Sequence, residues 1–242
     1  MLSKITYTKK GTDFMKLPFG KGLIVSSQAL SGNPLKEPYI LARLAKAAEL
    51  GGAVAIRANG ADNISEMKKI LTIPIIGINK MQDSTGRTVI TPTFESAKEV
   101  FEAGADVIAM DMTFQESDIR EDIAETVKRI HNELKIPVMA DIACADEAAR
   151  ACEMGVDLVS TTLSGYLPGK AYSPEEKYIP DFKLIQTILN DERVTCPCIG
   201  EGRFWTPQDL KKGIDMGLYG VVIGKAITNS MAITSYFTSA LK

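Results

Sequence analysis

The chain is nearly without histidine. His131 is the one copy in 242 residues, and it lies in the charged helical stretch "ETVKRIHNELK". The commonest general base is therefore effectively missing, and proton chemistry has to come from carboxylates, lysine or arginine-assisted groups. Cysteine is scarce as well. Cys144, Cys152, Cys196 and Cys198 contain no CxxC, and with one histidine they make no zinc cluster. Buried, reduced thiols in a cytoplasmic protein are the expectation. No apolar run approaches the roughly 18 residues of a membrane span. The basic opening "MLSKITYTKKGTDFMKLPFGKG" lacks the apolar centre of a secretory signal. A net charge of −2, with acids and bases mixed, gives none of the basic excess that nucleic-acid binding draws on.

What the sequence does have is punctuation. "AAELGGAVAIRA", "VFEAGADVIAMD", "ACEMGVDLVSTT" and "GIDMGLYGVVIG" each end a helical pattern on glycine and start a strand; the glycines are Gly51, Gly104, Gly155 and Gly217. Glycine supplies a left-handed helix cap at little cost. "ILTIPIIGINK", "ELKIPVMADI" and "RVTCPCIGEG" use Pro74, Pro137 and Pro197 at the strand start, where a missing N–H is tolerated. The two types alternate along the chain. With the opening "GLIVSSQ" they predict eight strands, near 23–28, 53–58, 74–79, 106–111, 137–141, 157–162, 194–200 and 219–224. Apolar strands alternating with helices predict a parallel sheet buried on both faces. Eight near-regular units favour closure into a (β/α)8 TIM barrel over 22–242 rather than an open doubly wound sheet. Residues 1–21 read as an N-terminal extension, either closing the barrel bottom or unstructured. The long connection "LSGYLPGKAYSPEEKYIPD" after the sixth strand reads as a ligand-contacting loop.

Chemistry in this fold sits at the carboxyl ends of the strands. Those ends read Gln28, Arg57, Lys80, Asp111, Asp141, Thr161 with Thr162, Glu201 and Gly224, a polar ring after apolar interiors. Arg57 and Asp141 suit a supporting ion pair. Lys80 and Glu201, on the third and seventh strands, face each other across a barrel of eight. An amine and a carboxylate on opposite sides of a ligand can take a proton from one face of a carbon and return it to the other. In "GEG" and "VIGKAIT" the glycines, Gly202 and Gly224 among them, let backbone N–H groups reach an anion. The loops after the last two strands are the usual phosphate site of the fold.

The stretches "GLIVSSQAL", "GGAVAIRA", "PIIGINK", "MADIA", "STTLSGY", "EGR" and "VIGKAIT" run in order from residue 22 to about 240. In these motifs the chain resembles the N-acetylmannosamine-6-phosphate 2-epimerase family of sialic acid catabolism. The resemblance implies a cofactor-free, metal-free epimerisation at C2 of a 2-acetamido sugar 6-phosphate, giving N-acetylglucosamine 6-phosphate. It maps the acid/base pair onto Lys80 and Glu201. Substrate contacts are expected at Gln28, Arg57, Asp141, Thr161, Gly165, Tyr166 and Arg203, and phosphate contacts at Gly202 and Gly224, with Lys225 as this chain's own candidate. The chain departs from the family pattern at Met81, at "DMTFQESD", which holds no arginine before Arg120, and at Asn229, each in place of a family arginine. Lys225 is the candidate replacement for the last. Barrels of this type often dimerise; the sequence carries no interface signature, and a homodimer stays open.

Two other readings compete. Lys80 could be a Schiff-base nucleophile in an aldolase-type or synthase-type barrel. The chain could also be a sugar-phosphate binder without a reaction, although a pure binder has no need of two opposed proton carriers.

Overall fold

The computed structural model describes residues 15–167, 169, 171–173 and 176–241. Its elements run β1 (Gly22–Ser26), α1 (Pro38–Leu50), β2 (Ala55–Asn59), α2 (Ala61–Lys68), β3 (Ile75–Ile78), β4 (Lys80–Gln82), β5 (Thr88–Ile90), α3 (Phe94–Glu102), β6 (Val107–Asp111), α4 (Ile123–Arg129), β7 (Val138–Asp141), α5 (Ala145–Glu153), β8 (Leu158–Ser160), α6 (Phe182–Asn190), β9 (Cys198–Glu201), α7 (Pro207–Met216), β10 (Gly220–Ile223), α8 (Lys225–Thr228) and α9 (Ser230–Ser239). Eight strands close into a parallel barrel in the order β1-β10-β9-β8-β7-β6-β3-β2. This is the (β/α)8 architecture that the alternating glycine and proline junctions predict.

The junction chemistry accounts for much of the register. Pro74, Pro137 and Pro197 each stand one residue before a strand, where no ladder N–H is needed. Their carbonyls still accept from Ile56, Ile108 and Val159 of the neighbouring strand. Gly104, Gly155 and Gly217 take positive φ as expected. Gly51 does not: it is right-handed at φ −79°, and Gly52 carries the left-handed turn at φ 98°. The left-handed residue follows the last helical one, as Gly104 follows Ala103 and Gly155 follows Met154.

Alternation along the strands divides the apolar residues into two cores. Ile24, Ala55, Ile76, Ile78, Val107, Ala109, Met139, Leu158, Ile199 and Val222 fill the barrel interior. The opposite faces pack against the helices, through residues such as Ile56, Ile75, Ile108, Val138, Val159 and Val221. Residues 15–21 cross the bottom of the barrel. Leu17 and Phe19 join the interior core, Tyr219 donates its hydroxyl to the Phe19 carbonyl at 2.7 Å, and Met15 N–H donates to Asp157 at 2.8 Å. Residues 1–14 of the expected extension lie outside the described residues. Asp157 also pairs with His131 at 2.7 Å. The histidine is thus half-buried at the bottom, far from the strand ends that carry polar side chains, and is not simply solvated.

One element was not anticipated. Between β3 and α3 the chain makes an antiparallel ribbon, β4 with β5, which pairs Lys80 with Ile90, Met81 with Val89 and Gln82 with Thr88. Lys80 is therefore not the last residue of a barrel strand but the first of this ribbon. Among the described residues no helix is long and apolar enough to cross a membrane. Cys152, Cys196 and Cys198 are buried and Cys144 is half-buried.

Candidate active site

Arg57 sits inside β2, two residues before its end, and is 1% exposed. A bare guanidinium buried so deeply would be prohibitive, so the sequence must supply acceptors. Asp141, at the end of β7, accepts from Nη1 at 2.9 Å and also from Nη2. Glu201, at the end of β9, accepts from the same Nη1 at 2.9 Å. Burial disfavours the Arg57 charge, but the two carboxylates outweigh it and hold the guanidinium above its ordinary pKa. The expected supporting pair of Arg57 and Asp141 forms, and Glu201 joins it.

Two threonines fix the glutamate. The Thr161 hydroxyl accepts from the Glu201 N–H and donates to the Glu201 carbonyl, both at 2.9 Å. Thr161 thus holds the backbone under the carboxylate. Thr162, in the turn just past β8, turns its hydroxyl to the charged groups instead. Its hydroxyl lies 3.1 Å from Glu201 Oε2 and 3.3 Å from Arg57 Nη1, and it bonds Asp141. Ser160, on the same face as Thr162, meets that hydroxyl at 2.9 Å. Thr162, expected in the polar ring with Thr161, is the one that meets the charged groups, and Ser160 is a site residue that the sequence reading passes over.

Lys80 rises from the opposite wall. Its Nζ donates to Gln28 Oε1 at 2.8 Å, and Gln28 in turn donates to Ser26 Oγ at 2.8 Å. Its backbone N–H donates to Asn59 Oδ1 at 2.9 Å, which anchors the lysine from the end of β2. The side chain is open to solvent at the mouth yet enclosed by protein on its flanks. That enclosure, with the Arg57 charge next in weight, holds its pKa below the usual lysine value of 10.5, against the pull of Glu201 and Asp141. Glu201 moves the other way. Burial lifts it above its usual 4.5, and the neighbouring Arg57 only partly offsets this. The two groups approach each other in proton affinity, which is what a pair exchanging protons with one substrate carbon requires.

A family model described as "Putative N-acetylmannosamine-6-phosphate epimerase" matches residues 41–242. The chain belongs to this family. A relative from Caldanaerobacter subterraneus subsp. tengcongensis, named "Putative N-acetylmannosamine-6-phosphate 2-epimerase", is 47% identical over 222 residues, covering 91% of each chain. One of the same name from Clostridioides difficile is 44% identical over 220 residues, covering 91% of this chain and 96% of the relative. A solved structure of the N-acetylmannosamine-6-phosphate 2-epimerase from Clostridium perfringens superposes with a TM-score of 0.83 at 40% identity, over 90% of this chain and 92% of that one.

The rest of this N-acetylmannosamine-6-phosphate epimerase family site lies on the long loop and at the two last strand ends. Gly165 has φ 78°, and a Cβ there would stand 2.4 Å from Arg203 Nη1. Arg203, expected among the substrate contacts, donates Nε to the Ile179 carbonyl at 2.7 Å and Nη1 to the Ser164 carbonyl at 3.0 Å, and covers the Tyr172 ring. Its donors thus tie the long loop to the glutamate strand. Pro168, Lys170, Pro174 and Glu175 of that loop lie outside the described residues. Tyr166, 43% exposed, packs edge-on against Tyr172, and the protein crowding its ring raises its phenol to about 12. Gly202, with φ 101°, lies under the Tyr166 ring, which a Cβ there would meet at 3.6 Å. Gly224 precedes α8 against Ser26, and Lys225 opens that helix, exposed and close enough that its charge further lowers Lys80. Asp111, by contrast, is no open ligand group. It is 1% exposed, accepts twice from Thr113, and pairs with Arg87 at 3.0 Å. Among the described residues no cluster of three His, Cys, Asp or Glu could hold a metal ion.

Proposed function

We propose that this chain interconverts N-acetylmannosamine 6-phosphate and N-acetylglucosamine 6-phosphate by moving the C2 proton between Lys80 and Glu201. In the open-chain sugar, C2 lies next to the C1 carbonyl, so its proton can be removed to give a 2-acetamido enolate with its charge on O1. Return of a proton from the other face inverts the centre. The observation that carries this reading is the placement of the two groups. Going round the barrel, β8, β7 and β6 separate β9 from β3 on one side, and β10, β1 and β2 on the other. Glu201 ends β9 and Lys80 follows β3, so they stand on opposed walls.

The remaining residues have supporting parts. Arg57, Asp141 and Thr162 hold the glutamate, and Thr161 fixes its backbone. Gln28 orients the lysine ammonium. The proposed phosphate end is formed by Gly202, Gly224 and Lys225, with Gly165, Tyr166 and Arg203 shaping the loop beside it. No group other than these side chains and backbone amides enters the scheme.

Lys80→Met and Glu201→Gln test it. General acid–base groups are typically worth about 10²–10⁴-fold. Each folded variant should lose activity by that order on N-acetylmannosamine 6-phosphate, and one that keeps it removes its residue from the scheme. Borohydride added to enzyme and substrate should trap no adduct at Lys80; a reduced covalent adduct would favour the Schiff-base reading.

We also propose a homodimer acting in the cytoplasm. Helix α9 has no buried residue, and Met231 and Phe237 on it and Leu241 beyond it are 55%, 69% and 87% exposed. Apolar residues left open together mark association surfaces. Sedimentation should give a dimer mass; a monomer at micromolar concentration would contradict it.

A further inference from the structure

Lys80 stands on a weak element. The β4–β5 ribbon has three residues a side. A two-stranded ribbon of this size has little stability of its own. All three residues of β4 are exposed, so that strand is held by its pairing with β5 and, at Lys80, by the Asn59 bond to the N–H and the Gln28 bond to the ammonium. Val89 and Ile90 of β5 are buried. At the base, Thr91 takes φ 47°, and its N–H and hydroxyl exchange bonds with Asn79 at 2.7 and 3.0 Å. The base is therefore fixed, and the question is what holds the tip.

Arg87 does so. It follows the turn residue Gly86, and its N–H donates to Asp83 Oδ1 at 3.0 Å, which closes the turn. Its side chain leaves the ribbon and enters the barrel rim. Nη1 donates to Asp111 Oδ2 at 3.0 Å and Nη2 to the Glu116 carbonyl at 3.3 Å. The side chain is 13% exposed and its partner 1%. The other oxygen of Asp111 takes the Thr113 N–H and hydroxyl at 3.0 and 2.7 Å. Both Asp111 oxygens are engaged by protein groups, Arg120 Nη1 standing 3.6 Å from Oδ1 as well, so this carboxylate at the barrel mouth serves the ribbon and the loop after β6. It is also in register with Asp141, whose carbonyl accepts from the Met112 N–H at 3.0 Å. The ribbon tip is thus referenced to the same strand pair that holds Arg57.

We propose that Arg87 is a positioning residue for the epimerisation: through its ion pair with Asp111 it sets the tilt of the β4–β5 ribbon, and with it the place of the Lys80 ammonium opposite Glu201. The inference rests on Lys80 carrying a proton in the reaction. Arg87 touches no reacting atom. It acts by holding a group whose displacement by about 1 Å can cost on the order of 10²-fold in rate.

The readout that separates positioning from general stability is the alkaline limb of the pH–rate profile, which reports the Lys80 ammonium. The charged groups acting on that ammonium are Arg57 on β2, Asp141 on β7, Glu201 on β9 and Lys225 at the head of α8. Enclosure and Arg57 keep its proton affinity low. A ribbon that swings outward takes the lysine from both, and the limb moves up towards the ordinary lysine range. The experiment compares Arg87→Ala, Arg87→Gln and Lys80→Met with wild type. The expected result is a kcat lower by about 10²-fold in Arg87→Ala with little change in KM, and an alkaline limb moved up. If Arg87→Ala does not fold, Arg87→Gln carries the test, since it fills the space and keeps one donor; a smaller loss with the same limb movement is expected. A folded Arg87→Gln or Arg87→Ala with wild-type kcat and an unmoved limb overturns the inference. Lys80→Met separates the two claims. Its inactivity beside an unaffected Arg87 variant overturns only the positioning role, and its full activity overturns the acid/base reading and this inference with it.

Discussion

Nη1 of Arg57 lies 2.9 Å from Oε2 of Glu201, deep enough that the arginine is 1% exposed. The same nitrogen holds Asp141. One cation therefore balances two carboxylates, one of which is the proposed acid/base. This arrangement keeps Glu201 ionisable without letting it become an ordinary surface acid.

Removing that cation should be felt in stability before chemistry. Arg57→Met leaves Asp141, 0% exposed, as a buried carboxylate with its partner gone. Breaking a buried pair from one side costs about 3–5 kcal/mol. Denaturant unfolding should show a loss of that order at neutral pH, and activity should fall with it. An Arg57→Met protein as stable as wild type would mean that the pair is not the balance described.

The pH dependence follows from the direction of two shifts. Glu201 is raised above 4.5 and Lys80 lowered below 10.5. In the proposed scheme the pair carries one proton between the two groups, so activity should require a pH above the first pKa and below the second. The kcat/KM profile should be a bell with its acid limb above 4.5 and its alkaline limb below 10.5. An alkaline limb at or beyond the ordinary lysine value would exclude Lys80 as the group responsible.

Gly165→Ala tests how the loop is tied. At φ 78° an alanine is strained by about 1–2 kcal/mol, and its Cβ would stand 2.4 Å from Arg203 Nη1. The guanidinium must leave the Ser164 carbonyl. KM should rise with the barrel's unfolding midpoint little changed, measured by steady-state kinetics beside thermal unfolding. An unchanged KM would free the loop of any part in substrate binding.

Much of this site was legible because a barrel strand advertises its end: an apolar run stops at a polar residue, as at Asp141 and Glu201. The glycine and proline junctions were legible for a similar reason, since each has one backbone use. The ribbon was not. "KMQDSTGRTVIT" holds a turn signal in "DSTG", but its strands are too short to show a period, and the Arg87–Asp111 pair joins residues 24 apart that no local pattern links. Thr161 and Thr162 are adjacent letters with opposite roles. Thr162 lies in the turn past β8, so no strand period sorts the two. Arg203 is expected as a substrate contact from the "EGR" stretch of the family resemblance. Its bonds to Ser164 and Ile179 depend on how a long loop folds back, which composition does not encode.

Lys225→Ala addresses the phosphate end. The lysine is exposed at the first turn of α8, beside Gly224. A bond to a charged group is worth roughly 1.5–3 kcal/mol, so KM for the 6-phosphate sugar should rise about ten-fold or more with less effect on kcat. Non-phosphorylated N-acetylmannosamine, if turned over, should be indifferent to the change. Equal KM values would leave the anion to backbone amides alone.

The central claim is that a proton leaves C2 to one wall of the barrel and returns from the other. Proton NMR of N-acetylmannosamine 6-phosphate incubated with the enzyme in deuterated water tests it directly. The account predicts that N-acetylglucosamine 6-phosphate appears with its C2 proton signal lost to deuterium, and that Lys80→Met and Glu201→Gln slow or abolish this. Product that retains the C2 proton throughout, or wash-in undiminished in both variants, would contradict it.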